Sequence, residues 1–223
     1  MKDKKKIIII SVMAVVIITS AIICRTHPFN ILPLMISLFV MVFQSEANRY
    51  AVLAGSLNSL IYAAVYLNFG IYGSVLQAAL FSFPIQLITF IRWNKNAYKH
   101  TVMFKKMSVK GKAFLYGGVA AAWIAMCIVL NAANYEFAVL DSGSTLLGFV
   151  IPFFTMLAYV EYTYLWLVQG VFVILLNIQL VMSDYSKTPY LLYSIYSAYC
   201  IVMAFINVHK FYKEQQEVKA NDN

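Results

Sequence analysis

Long apolar stretches separated by short polar ones run the whole length of this chain. The hydrocarbon core of a bilayer takes about 20 mainly apolar residues per helix. Cutting the sequence at its charged, polar and turn-forming clusters leaves eight segments of roughly that kind, 7–23, 29–44, 48–67, 71–91, 113–130, 145–159, 164–182 and 189–208. Each predicts a membrane-spanning helix, because lipid offers backbone amides no partner outside their own helix. The chain therefore reads as an all-α polytopic membrane protein.

Composition removes the alternatives. With 62% hydrophobic and 12% charged residues and a mean hydropathy of +0.74, a chain of 223 residues lacks the polar surface of a soluble enzyme and the charge density of a disordered one. The three cysteines, Cys24, Cys127 and Cys200, are odd in number and lie in apolar runs, so they form no disulfide framework. A formal charge of +8 would suit a nucleic-acid partner if the charges were clustered for it, but they are placed for membrane insertion. With the N-terminus inside and eight spans, fifteen of the 17 Lys and Arg residues fall on the inner side, and only Arg25 and Lys187 fall outside. That asymmetry fits the positive-inside rule, an even number of spans and both termini in the cytoplasm of a cell-membrane protein. The basic stretch 92–112 reads as a topology determinant facing anionic lipid. The lysine run before segment 7–23 has the outline of a signal peptide. Its apolar run is longer than such signals use, and Cys24-Arg25-Thr26-His27-Pro28 lacks a small-residue cleavage pattern, so a retained helix is expected.

The chain also repeats itself. At an offset of 115 residues, Leu32, Ile36, Phe39, Met41, Glu46, Gly55 and Leu60 fall on Leu147, Ile151, Phe154, Met156, Glu161, Gly170 and Leu175. Two three-helix units follow, spans two to four and six to eight, with the fifth span between them. An odd linking helix makes the units parallel, the arrangement of a pathway between two matched bundles. Domain limits are then 1–28 for an additional N-terminal helix, 29–93 and 144–210 for the bundles, 94–143 for the basic loop and linking helix, and 211–223 for a cytoplasmic tail.

Ionisable groups are nearly absent at membrane depth, so neither a proton relay nor a sodium site is expected. Asp141 reads as an N-cap of the sixth span. The midplane holds amides and aromatics instead: Asn58, Tyr62 and Tyr66 on one helical face, Gln77 and Gln86 in the fourth span, then Trp166, Gln169, Asn177 and Gln179, and tyrosines up to Tyr196 and Tyr199 in the last. Such groups suit a neutral or cationic heteroaromatic ligand, with amides meeting carboxamides and hydroxyls while ring faces stack or attract a cation. Each has a second reading as a hydrogen-bonded tie between spans. Pro84 predicts a kink in the fourth span with Gln86 just beyond it. No metal-ligand spacing, nucleophile elbow or phosphate loop occurs, so no enzyme, metal or cofactor is expected.

The stretch Tyr72-Gly73-Ser74-Val75, with Phe83-Pro84-Ile85-Gln86 running on to Arg92-Trp93, resembles the signature of the PnuC-type nicotinamide riboside transporters. Leu140-Asp141-Ser142-Gly143-Ser144-Thr145, then Val160-Glu161 and Trp166, resemble that family's second-half segments, and the resemblance covers residues 46–210. It implies a SWEET-like 3+1+3 helix arrangement, here with an extra N-terminal helix, often assembled as a homotrimer. It also implies facilitated uptake of a vitamin precursor, trapped inside by phosphorylation rather than driven by ATP or ions. The binding residues expected are Asn58, Tyr62, Gln77, Gln86, Trp166, Gln169, Asn177 and Tyr196. Three family positions are changed: a Trp is Thr163, and two Asn are Gly170 and Ala78, with Gln169 and Gln77 beside them. Relatives carry thiamine or riboflavin, which stay as alternatives, as does a membrane scaffold that transports nothing.

Overall fold

The computed structural model describes residues 3–68, 75–134 and 138–221. These residues form eight long helices: α1 (Asp3–Ile23), α2 (Pro28–Ser45), α3 (Arg49–Asn68), α4 (Phe83–Lys95), α5 (Val109–Ala132), α6 (Ala138–Met156), α7 (Tyr162–Ser183) and α8 (Thr188–Asn221). A π-helical turn, Gln77–Ser82, leads into α4, and a small antiparallel hairpin, β1 (Ala97–Tyr98) and β2 (Thr101–Val102), follows it. Among the described residues, α1, α2, α5, α6, α7 and α8 are long and apolar enough to cross a membrane. The other two are less apolar or shorter for visible reasons. α3 carries Arg49, Ser56, Asn58, Ser59 and Asn68, and the regular part of α4 is 13 residues long.

Local chemistry sets the helix ends. His27 caps α2, its ring Nδ1 accepting the Phe29 amide, and Pro28 occupies the first turn, where its missing N–H costs nothing. Ser108 caps α5 by accepting the Gly111 amide at 3.2 Å. α6 begins earlier than the predicted segment 145–159, so Asp141 lies in its first turn instead of capping it and complements the helix dipole there. In the α7–α8 link, Asp184 caps a short turn, and its hydrogen bonds to Ser186 hold its carboxyl below the usual carboxylate range. Pro84 follows the π-helical turn, in which the Phe83 amide reaches back to the Ala78 carbonyl. The expected kink is therefore a change of helical pitch.

α3 packs on both α2 and α4, and α7 packs on both α6 and α8. The two bundles meet where α2 touches α8 and where α4 touches α6, contacts that exchange under a two-fold relation between the units. α5 lies against α6, and α1 lies against α2 and α8. α1 is built like α5: each is followed two residues on by a residue with positive φ, Arg25 and Asn134, and each places a lysine on a glutamate in the link after the next helix. Those pairs are Lys6 with Glu46 at 2.7 Å and Lys112 with Glu161 at 3.1 Å.

The repeat holds with one shift of register. α2 and α6 both end on an alanine in the left-handed region, Ala47 and Ala158, which sets these helices about one turn out of the 115-residue offset. α3, α4, α7 and α8 keep that offset, because Gly55 faces Gln86 just as Gly170 faces Ile201. The difference is taken up in the longer link before α7. There the Lys105 amide donates to the Ala158 carbonyl at 2.8 Å and the Val160 amide to the Lys105 carbonyl at 2.9 Å. Much of the basic stretch is thus a strap across the end of both bundles. Glu161, fully buried, accepts from the Met107 amide and Lys112, and Gln215 of α8 bonds both the Phe104 amide and the Val102 carbonyl at 2.9 Å.

Candidate functional site

A partly open cavity of about 230 Å³ lies where α4 faces α6, with the end of α2 and the first half of α7 completing its wall. It occupies the half of the bundle nearer the strap. Its upper wall is polar: Gln44 and Asn48 close the α2–α3 turn, and Gln86 and Thr89 come from α4. Its other wall is aromatic, with Trp93 from α4 and Tyr162 and Trp166 one turn apart on α7, their rings 6.1 Å apart. Gln169 stands one turn beyond Trp166. No Lys, Arg, Asp or Glu is among the lining residues.

The polar groups are held in register by the backbone around them. Gln86 donates to Ser59 Oγ at 3.0 Å, and that hydroxyl donates to the Gly55 carbonyl at 3.0 Å. Gln86 can lie there because residue 55 has no side chain. A Cβ at Gly55 would sit 2.3 Å from Gln86 Oε1 and 3.1 Å from Gln44 Nε2. Two amides thus converge over one glycine. Opposite them, Gln169 donates to the Ser144 carbonyl at 3.1 Å, and the Trp93 indole donates to the Thr155 carbonyl at 3.0 Å, tying α4 to α6 at the cavity's end. Among the described residues, the Gln44 amide and the Trp166 indole N–H make no hydrogen bond, and Gln86 Oε1 accepts none. These unspent donors and acceptor are available to a ligand in the cavity.

Of the residues expected from sequence, Gln86, Trp166 and Gln169 line this cavity together. Asn58 does not: it is buried between α3 and α2, donating to Ser37 Oγ at 2.8 Å and to the Pro33 carbonyl at 3.3 Å. Tyr62 shares Ser37, at 3.3 Å. Tyr196 bonds the Leu38 carbonyl across the α2–α8 contact. Asn177 folds back on its own helix, donating to the Val173 carbonyl at 2.8 Å. The side chains of Gln77 and Tyr66 and the stretch 72–74 lie outside the described residues. The changed family positions are not in the wall: Thr163 bonds the Val160 carbonyl, Gly170 meets Ile201, and Ala78 is buried elsewhere. Sequence reasoning missed Gln44, Asn48, Thr89 and Tyr162. Gln44 and Asn48 sit at helix ends, where polar residues are ordinary, and nothing in the sequence sets them apart. Among the described residues no cluster of three or more His, Cys, Asp or Glu forms a metal site.

Fold and cavity together define a polytopic helical membrane transporter: two matched bundles around an uncharged cavity lined by amides and rings. Comparison with known proteins gives the family. The model for the nicotinamide mononucleotide transporters matches residues 27–210, from the cap of α2 through most of α8, so the chain belongs to that family and is a PnuC-type transporter rather than an enzyme. A solved structure described as the vitamin B3 transporter PnuC superposes with a TM-score of 0.71 at 20% sequence identity, covering 94% of this chain and 90% of that one. That coverage takes in part of α1, which lies outside the family match. No curated protein matches the sequence significantly.

Proposed function

We propose that the chain crosses the membrane eight times in a SWEET-like 3+1+3 arrangement preceded by α1, with both ends in the cytoplasm. In this reading it lets nicotinamide riboside or a closely related vitamin precursor diffuse inward through the α4–α6 cavity. The observation that carries the reading is the cavity wall: amides on one side, three aromatic rings on the other and no charged side chain. A pyridinium ring is a flat cation, which aromatic faces attract without a buried carboxylate, and its carboxamide is matched by Gln44 and Gln86. The family's title substrate is a mononucleotide, but a phosphate would enter this cavity with no cation to meet it, at a high desolvation cost. The volume also lies at the small end for ligand sites, which favours a riboside over anything larger.

Gln86, Trp166 and Gln169, with Gln44 and Asn48, are the proposed binding residues. The wall offers no carboxylate for a coupling proton or sodium ion, which supports facilitated diffusion with inward flux maintained by phosphorylation of the product inside. The placement of 15 of the 17 Lys and Arg supports the orientation and a cell-membrane location. Assembly as a homotrimer rests on the resemblance alone.

The test is thermal stabilisation of the purified, detergent-solubilised protein, since a ligand of the native state raises its apparent stability. Nicotinamide riboside is expected to raise the melting midpoint, and nicotinamide mononucleotide is not. Equal stabilisation by the mononucleotide would refute the uncharged-site reading. A response to thiamine or riboflavin alone would move the substrate within the family, and silence toward every vitamin would favour a scaffold.

A further inference from the structure

A second hollow lies on the first bundle, on the other side of Asn48 from the α4–α6 cavity. This groove of about 430 Å³ runs between α2 and α3, lined by Met35, Phe39, Phe43 and Ala54 along its length and by Asn48 and Tyr50 at the end nearer the strap. Its wall is almost wholly apolar, and Phe39, Phe43 and Tyr50 are exposed. At the polar end the charges do not balance. Lys6 is paired with Glu46, while Arg49, between Asn48 and Tyr50, has no ion pair among the described residues. Its Nε is buried without a hydrogen-bond partner, and its guanidinium lies 5.3 Å from the Tyr50 ring. A buried, unmatched guanidinium nitrogen is costly unless an anion meets it.

We propose that this face binds a single phospholipid, its phosphodiester on Arg49 and one acyl chain laid along the groove toward Met35. The two halves of the site demand the two halves of such a molecule. An apolar trench open to the bilayer takes a hydrocarbon chain, and the Arg49 guanidinium, outside the groove's wall but beside the Tyr50 ring that lines its polar end, takes phosphate in the fork geometry that suits it. The level is right as well, because Arg49 begins α3 beside the strap, where the basic residues of this protein gather. The lipid and transport sites share one residue. Asn48 lines both hollows, and its carboxamide oxygen accepts the Tyr50 amide at 2.9 Å, so the bound lipid braces the turn that forms part of the transport cavity's wall.

The experiment uses the full-length protein, delipidated in detergent, with melting followed as dioleoylphosphatidylglycerol, dioleoylglycerol or inorganic phosphate is added. The phospholipid is expected to raise the midpoint saturably, and neither the headless lipid nor free phosphate should match it. Arg49→Gln should raise the half-saturating phospholipid concentration about tenfold, the loss of one charge-assisted hydrogen bond, whereas Lys95→Gln should leave it unchanged. Phe39→Trp, which fills the groove and spares the guanidinium, should weaken the response too and serves if Arg49→Gln folds poorly. An unaltered response in both variants, equal stabilisation by dioleoylglycerol, or full stabilisation by phosphate alone would overturn the proposal. None of these readouts uses the vitamin, so they stand whatever the transported substrate proves to be.

Discussion

Where α2 meets α8, Leu38, Met41 and Val42 close on Tyr196, Cys200 and Ile201, and Ile10 and Ile17 of α1 fill the remaining space. Where α4 meets α6, the equivalent contact between the same two bundles, the space is left open and becomes the cavity. α5, the counterpart of α1, rests on α6 and leaves the opening unfilled. The contrast comes down to residues facing the same kind of glycine. Gly55 admits Gln86, whose carbonyl stays unspent, and Gly170 admits Ile201, whose methyl ends in an apolar cluster. In lipid such contacts are made by packing and hydrogen bonding, since the tails are as apolar as the side chains. A duplicated scaffold therefore supplies two interfaces, and one polar residue with one additional helix decides which of them is sealed and which stays open.

The contrast can be broken most sharply at Gly55. Gly55→Ala places a methyl against Gln86 Oε1 and should eject that amide from its hydrogen bond to Ser59. Vitamin uptake at low substrate should fall about tenfold to a hundredfold, the loss of one or two hydrogen bonds, while detergent melting changes little because the colliding atom is the end of a flexible chain. Normal uptake in that variant would remove Gln86 from the site. Next comes Trp166→Ala, which leaves the amide wall intact and removes a ring face. Ligand half-saturation should rise about tenfold with the folded state retained, and equal affinity would mean the aromatic wall is packing alone. The smallest effect is expected from Gly170→Ala. The new Cβ meets Ile201 Cδ1 at 3.3 Å in a methyl that can yield, so uptake and midpoint should both stay near wild type. A loss like that of Gly55→Ala would show the sealed interface to be as delicate as the open one.

Much of the helical framework was legible in the chain because lipid permits so few alternatives: a long apolar run has to be a helix, whatever its neighbours. The ends were harder to read. α8 runs on past 208 to Asn221, where the residues turn polar but the helix is held by Gln215 against the strap. The site was only partly legible for a related reason. Periodicity assigns an amide to a helix face without saying whether a neighbouring carbonyl already takes it. Asn58 and Gln86 look alike in sequence, yet Asn58 donates to α2 while Gln86 faces the cavity. Ser37, which collects Asn58 and Tyr62, gave no sign of that role among so many apolar residues.

Gln215 gives the molecule a late step in its assembly. The strap amide and carbonyl that it satisfies belong to residues 104 and 102, which leave the ribosome more than a hundred residues earlier. Until the last turns of α8 have been synthesised, those two groups must bond water, and the strap is seated only by its bonds to Ala158, Val160 and Glu161. A chain ending at residue 210, where the family match stops, would keep its apolar helices and still lack the residue that fixes Val102 and Phe104 of the strap to α8. The hairpin end of the strap thus closes only when residue 215 reaches it.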